Sequence, residues 1–410
     1  VIKEIIIENY KSIDKVKLDL GRFNVFIGEN GAGKSNILEA ISLAGAAQAR
    51  KLDNEFLTSR GVRVTDPKWM RCAIKGASRK KPIEITVKED VDELTYKIGL
   101  DDGPYPKWSC EVKDNVNVRL GSNDIGSFLD LIRDSAKDEA DLKKVLSSLF
   151  NIVSEPASQS KKKKKLSIEL KEPLGLFKER LERHKNTFRS LADFIVYSPE
   201  NTALRTFEKE GQIEPLGVNG EGILKLLTVF DREETKVTLN KVKDSLRLLG
   251  WFSDFNVVHG GVNLPSKVEI CDRWLDEDLN YFDQKSANEG FLFLVFYFSL
   301  FSSELTPSFF AVDNIDASLN PKLCEHLTVR LSELAVEHNK QVILTTHNPS
   351  VLDGLDLSDP DQRLFTIGRG AKGQTRVRRI EVPEIINGHR PLRLSEAFIR
   401  GSLGGLPKGF

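Results

Sequence analysis

The sequence predicts an α/β fold, a core of mixed and parallel strands carrying a helical insertion, and three observations support it. The apolar run FNVFI (23–27) leads through a glycine-rich turn into the helical pattern SNILEAISLAGAAQA, a strand–loop–helix unit. Towards the other end, the strand-like FFAVD and QVILTT flank the helical stretch KLCEHLTVRLSELAVEH. That makes a βαβ unit and therefore parallel strands. Between these blocks, from about Asp124, apolar residues recur at three- and four-residue spacing with no long heptad array.

In chain order, VIKEIIIENY alternates as a strand does, so no signal peptide is expected there, and VKLDL and FNVFI follow it. IEITVKE and LTYKIGL add strands between 83 and 100, so a mixed sheet is expected rather than a purely parallel one. The helical stretches FLDLIRDSAKDEADLKKVLSSLFNIV and LGLFKERLERHKNTFRSLADF enclose SEPASQSKKKKKLSIELKEP, which reads as an exposed linker. Its lysine run, 161–165, suits either a nucleic-acid phosphate contact or a solvated linker, and no aromatic residues are interleaved with it. VYSPEN and PLGVNGEG mark loops before the helical GILKLLTVF. GFLFLVFYFSLF (290–301) is too short to span a bilayer and reads as a buried helix. After Ile367 the chain is glycine-rich and basic, with Arg369, Lys372, Arg376, Arg378 and Arg379, and LSEAFIRGSLGGLPKGF either docks on the core or presents a partner surface. The expected divisions are an N-terminal lobe (1–120), a mainly helical insertion (121–265), a C-terminal lobe (266–368) and a basic tail (369–410).

With 410 residues, 40% hydrophobic and 29% charged, the chain can bury a sizeable core. Lys+Arg and Asp+Glu both number 60, so no global field draws it to nucleic acid or an anionic membrane, and any such binding needs a local patch. Cys72, Cys110, Cys271 and Cys324 show no CxxC pair and no metal-ligand spacing. A reduced, cytoplasmic protein without a membrane segment is expected.

The chemistry starts at GENGAGKS (28–35), which satisfies G-x-x-x-x-G-K-[ST] between a strand and a helix. Its glycines let successive N–H groups of Asn30, Gly31, Ala32 and Gly33 face phosphate oxygens, and the helix N-terminus at Lys34, Ser35 and Asn36 adds partial positive charge. Lys34 is expected on the β- and γ-phosphates of a nucleotide and Ser35 on Mg²⁺. Asp313, at the end of FFAVD, is placed either to hold the metal's water shell or to cap the next helix. His347 follows QVILTT at the strand's carboxyl end, where it either senses the terminal phosphate and positions water, or caps the following turn with Asn348 and Pro349.

The order of IENYKSI, GENGAGKSNILEAI, DNIDASLNP and TTHNPSVLD resembles the ABC-type ATPases, and within them the RecF, SMC and OLD branch, including AAA-labelled ATPases of bacterial anti-phage systems. The resemblance covers about residues 1–100 and 270–355. It implies an ABC-ATPase-like head that binds ATP and Mg²⁺, with Lys11 near the nucleotide phosphates and SLNP as the D-loop. It also implies that SANEGFLFLVFYFSL is the signature region, whose Asn288 (where serine is usual) and Gly290 reach the nucleotide of a partner head. Two heads would then form a homo-oligomer with ATP sandwiched between them. The family's run D-E-P-E-x-x-L-H-P is replaced by DNIDASLNP, so Asn314 stands where the catalytic glutamate is usual. An amide orients water but takes no proton, a role worth about 10²–10⁴-fold in rate. Asp316 either substitutes as the base or caps the turn. Hydrolysis is therefore expected to be slow.

On this resemblance the chain is expected to be a regulatory ATPase of an anti-phage system, triggered by a phage protein or unusual DNA. The stretch after His347 is too short for a nuclease domain with its own core, so the toxin or nuclease effector is expected on a separate polypeptide. The alternative is a RecF-like repair ATPase that clamps DNA. The opening IENYKSI and the long gap between Ser35 and Asp313 disfavour a transporter subunit, and the absence of a long coiled coil disfavours a true SMC.

Overall fold

The computed structural model describes residues 1–75, 81–90, 92–101, 106–114, 188–206, 215–260, 267–276, 279, 281–382 and 392–406. The helical stretches expected between 124 and 187 and the lysine run 161–165 lie outside these residues. The N-terminal elements are β1 (Glu4–Tyr10), β2 (Ile13–Asp19), β3 (Phe23–Gly28), α1 (Lys34–Gln48), α2 (Asn54–Ser59), α3 (Pro67–Met70), β4 (Ile83–Glu89), β5 (Asp92–Leu100) and β6 (Trp108–Asp114). Next come α4 (Arg189–Ala192), β7 (Val196–Tyr197), α5 (Asn201–Leu204), α6 (Ile223–Arg232), α7 (Val237–Leu246), β8 (Phe252–Val258), β9 (Lys267–Asp272) and β10 (Tyr281–Asp283). The chain continues through α8 (Glu289–Ser302), β11 (Phe309–Val312), α9 (Pro321–Glu337), β12 (Gln341–Thr346), a 3₁₀ turn (Pro349–Gly354), β13 (Gln362–Arg369), β14 (Thr375–Ile380) and α10 (Leu394–Ile399).

The strands segregate by pairing type. A six-stranded sheet of order β14-β13-β3-β12-β11-β7 is parallel throughout except for its β14 edge. That sheet is mixed, as expected, and the N-terminal strands form a separate antiparallel sheet of order β2-β1-β4-β5-β6. A small antiparallel sheet, β10-β9-β8, completes the set among the described residues. The reason lies in burial. β3, β11 and β12 are buried at every position, as strands covered on both faces are, whereas β5 alternates buried and half-buried residues.

Period-two alternation sends the central strands' side chains into two cores. Phe23, Val25, Ile27, Phe310, Val312, Val342 and Leu344 enter one, shared with α6, α7, α8 and α9. Phe26, Phe309, Ala311 and Ile343 enter the other, between α1 and the antiparallel sheet. The helix expected at 290–301 is α8, buried from Phe291 to Ser302 on every side. Phe296 meets Tyr197 edge-on at 5.8 Å and Phe301 meets Phe310 at 5.1 Å. Past the end of α8, the buried ammonium of Lys340 donates to Ser303 O at 2.6 Å and Thr306 O at 2.9 Å, so the helix's exit is pinned to the start of β12.

Two of the expected divisions fall within paired elements, and the expected insertion contains a core strand. β7 lies within the expected insertion yet pairs with β11 as a core strand. The 265/266 division falls inside the β8–β9 antiparallel pair. The expected tail is partly core, because β13 runs through 368/369 and β14 completes the sheet edge. Beyond it α10 docks on the 3₁₀ turn, with Ser395 N donating to Asp353 Oδ1 at 3.0 Å and Phe398 and Leu403 buried in the core.

Candidate nucleotide-binding site

Because β3, β11, β12 and β13 run parallel, their carboxyl ends open on one edge of the sheet, where such folds hold ligands. The glycine-rich loop leaves β3 at Gly28. Its backbone lies so close to β13 that a Cβ there would meet Ile367 O at 1.9 Å. Gly33 has φ 110°, a left-handed value, and a Cβ on it would also strike Thr375 Oγ1 at 2.1 Å. Gly31, at φ 73°, needs glycine for its backbone alone. α1 then starts with no side-chain cap and no acidic residue in its first turn, so its leading N–H groups are left for an anionic ligand.

Lys34 is buried, and its Nζ donates to Gly28 O at 2.8 Å and Glu29 O at 3.2 Å. Burial pushes its pKa down to about 8, although Asp313, Asp316 and Glu29 oppose the shift. Ser35 Oγ donates to Asp313 Oδ2 at 3.0 Å, which joins two residues 278 positions apart. Asp313 Oδ1 accepts from the Thr345 hydroxyl, and Thr345 Oγ1 in turn accepts from Asn314 N at 2.9 Å. The carboxylate is thus oriented by the neighbouring strand and does not cap a helix. The N-cap of α9 is Asn320, whose side chain accepts from Leu323 N at 2.9 Å.

Asn314 is exposed at φ 56°, a conformation that asparagine tolerates better than most residues. Asp316 Oδ1 accepts from Thr346 Oγ1 at 2.7 Å and from His347 N at 3.4 Å, which fastens the turn after β11 to the end of β12. Partial burial, and then the Lys34 ammonium, hold the His347 imidazole below its ordinary pKa, which favours the neutral ring.

Several of the groups that shape the site were not anticipated. Thr345 is one; its place in a hydroxyl pair directly before His347 was an available signal. Glu39 is another, a buried acid on α1 one helical turn after Ser35. It takes the Lys11 ammonium and Arg63 Nε, and Tyr10 OH at 3.1 Å. Lys11 also donates to Arg63 O at 2.9 Å, so its charge is held by Glu39 and Arg63 in this structure. Arg63 lies beside the loop, with Nη2 3.5 Å from Asn36 Oδ1. Asn36 Nδ2 reaches Ser12 Oγ at 2.7 Å, Ser12 meets Thr375 Oγ1 at 2.7 Å, and Thr375 donates to Ala32 O at 2.9 Å. Arg369 Nε holds Gly31 O at 2.8 Å, while Glu29 N donates to Gly405 O at 3.0 Å. The C-terminal part of the chain therefore braces the loop, through residues no local motif marks.

The two residues expected in the signature region sit elsewhere. Asn288 is the N-cap of α8, its side chain accepting from Phe291 N at 2.8 Å. Gly290 packs against the expected D-loop, where a Cβ would lie 3.3 Å from Ser318 O. Among the described residues no hydrogen bond joins either to the glycine-rich loop of the same chain.

The set fits a Mg²⁺-bound nucleoside triphosphate. It combines left-handed glycines, an uncapped helix N-terminus, a buried lysine, and a serine hydroxyl and carboxylate that already converge. No group of three or more His, Cys, Asp or Glu side chains that could hold a metal ion occurs among the described residues. None of the described helices is long and apolar enough to cross a membrane.

Comparison with known proteins agrees with this geometry. The chain is 32% identical over 145 residues to the DNA replication and repair protein RecF of Phocaeicola vulgatus, which covers 32% of this chain and 38% of that protein. It is 36% identical over 103 residues to the DNA double-strand break repair Rad50 ATPase of Sulfurisphaera tokodaii, covering 23% of this chain and 12% of the relative. The chain thus spans well under half of either relative. Among solved structures, an SMC head bound to the C-winged helix domain of ScpA superposes with a TM-score of 0.53 at 13% identity, over 93% of this chain and 98% of that one, which shows the shared fold. The family described as "AAA domain, putative AbiEii toxin, Type IV TA system" matches residues 23–353. The chain belongs to that family, P-loop ATPases with an SMC-head-like fold related to RecF and Rad50.

Proposed function

We propose that this protein is a slow, ATP-gated switch. The observation that carries the reading is Asn314, directly after the metal-side carboxylate Asp313, where a proton acceptor would be needed. Mg²⁺ would be held by Ser35 and Asp313 and would neutralise charge on the phosphates. Lys34 and the loop amides bind the phosphates, Thr345 orients Asp313, and the neutral His347 orients water or senses the terminal phosphate. Asp316 has one oxygen engaged by Thr346 and His347, which supports a fastening role over that of a base. ATP would bring two heads together, with Asn288 and Gly290 of one facing the nucleotide of the other, and a long-lived closed dimer would restrain or release a separate toxin or nuclease. The family's toxin–antitoxin description supports a defence role.

Single-turnover hydrolysis tests this, with Asn314→Glu and Lys34→Ala beside the wild type. Tight ATP binding with slow turnover, accelerated on the order of 10²-fold or more by Asn314→Glu, is expected. Brisk wild-type turnover indifferent to that change defeats the switch reading and makes Asp316 or His347 the base to test.

A second reading, a DNA-clamping repair ATPase, is favoured by the RecF similarity and by the exposed Arg376 and Arg378 on the edge strand β14. It predicts ATP-dependent duplex binding that weakens steeply with salt and is reduced by Arg376→Ala/Arg378→Ala.

A further inference from the structure

Glu289 is the first residue of α8, and both of its carboxylate oxygens are engaged. Oε2 accepts from Ser318 Oγ of the D-loop at 2.7 Å, and Oε1 accepts from Asn201 Nδ2 at 2.6 Å. Asn201 Oδ1 accepts from Arg205 Nε at 2.7 Å, and Arg205 Nη1 donates to Gln284 O at 3.2 Å, in the segment that leads into α8. Ser318 has φ 58°, a conformation a serine keeps only when its surroundings hold it there. Gly290 closes the same corner, since any side chain would press on Ser318 O. Just before Ser318, the turn is fastened by Asp316 to Thr346.

We infer that Glu289 is a positioning residue that locks Ser318 and the α8 N-terminus into one surface, with which a head grips the nucleotide bound by its partner. The inference rests on the sandwiched-dimer reading above and adds the group that holds the gripping surface in shape. A carboxylate with one acceptor oxygen for each of two donors suits this brace. Losing a hydrogen bond to a charged group weakens an interaction by about tenfold or more.

The test follows release of a fluorescent ATP analogue from full-length protein assembled with Mg²⁺. Glu289→Ala and Ser318→Ala should each speed release from the dimer by about tenfold. The double variant should be no faster than Glu289→Ala alone, because that change already removes the contact with Ser318. Glu289→Gln, which keeps one acceptor, should retain most of the wild-type lifetime. Mixed dimers separate gripping from mere folding. A Glu289→Ala head paired with excess Lys34→Ala head holds its nucleotide against an intact partner surface, so slow release should return. Release that stays fast in the mixed dimer places the effect of Glu289 in its own site and overturns the inference, as does a Glu289→Ala dimer with wild-type release. If light scattering shows that ATP never pairs wild-type heads, the sandwich reading and this inference fall together. Pairing with release indifferent to Glu289 removes this one alone.

Discussion

Raising the pH should weaken nucleotide binding through Lys34 in a way that can be calculated. In the nucleotide-free protein its pKa is about 8, chiefly because the side chain is buried. The triphosphate adds negative charge beside the ammonium and so raises that pKa in the complex. Below pH 8 the lysine is already charged, and binding takes up little proton. Above pH 8 the free protein has lost the proton and must regain it to bind, so affinity falls as pH rises. With a pKa of 8, about nine-tenths of Lys34 is protonated at pH 7 and about one-tenth at pH 9, so the dissociation constant should rise roughly tenfold between them, about 1.4 kcal/mol. Titration calorimetry in two buffers of different ionisation enthalpy should register uptake of about 0.9 proton at pH 9 and about 0.1 at pH 7. Lys34→Arg, which stays charged, should flatten both profiles even if it binds more weakly. An affinity unchanged from pH 7 to 9, with no dependence on buffer, would refute the argument, since Lys34 would then be fully charged despite its burial.

Other perturbations probe the frame around that lysine. Gly33→Ala forces a side chain into φ 110° and against Thr375 Oγ1, so thermal stabilisation by ATP should disappear in differential scanning fluorimetry while the fold persists. Lys340→Met leaves the carbonyls of Ser303 and Thr306 without their buried donor and should cost roughly 2–4 kcal/mol in denaturant titration. Because Lys340 precedes β12, at the end of the sheet away from the loop, ATP affinity should not move. Gly405→Val strains a residue at φ 82° and displaces the carbonyl that takes Glu29 N–H, so the dissociation constant for ATP should rise roughly 2- to 10-fold by fluorescence titration, a loss that marks the C-terminal segment as part of the loop's support.

What could be read from the residues alone was whatever depends on short-range pattern. A glycine-rich turn between an apolar strand and a helix carries its own geometry, because left-handed φ and close backbone approach restrict the residue type wherever they occur. The Asn-Pro start of α9, the parallel pairing of β11 with β12 and the burial of α8 were legible for the same reason: capping and periodicity act within a few residues. Asn314 stood out because its side chain lacks a chemical property whatever surrounds it.

Pairings across long stretches of chain could be decided only by the tertiary structure. The strands sort into separate sheets according to which faces are covered, and coverage belongs to the packed molecule. Lys11 turns to Glu39, Thr345 orients Asp313, and β14 and Gly405 brace a loop more than three hundred residues earlier in the chain. Each of these contacts satisfies a polar group at a packed or partly packed position. Such a group takes whichever partner the fold brings within about 3 Å, a choice made by three-dimensional proximity that no local spacing records.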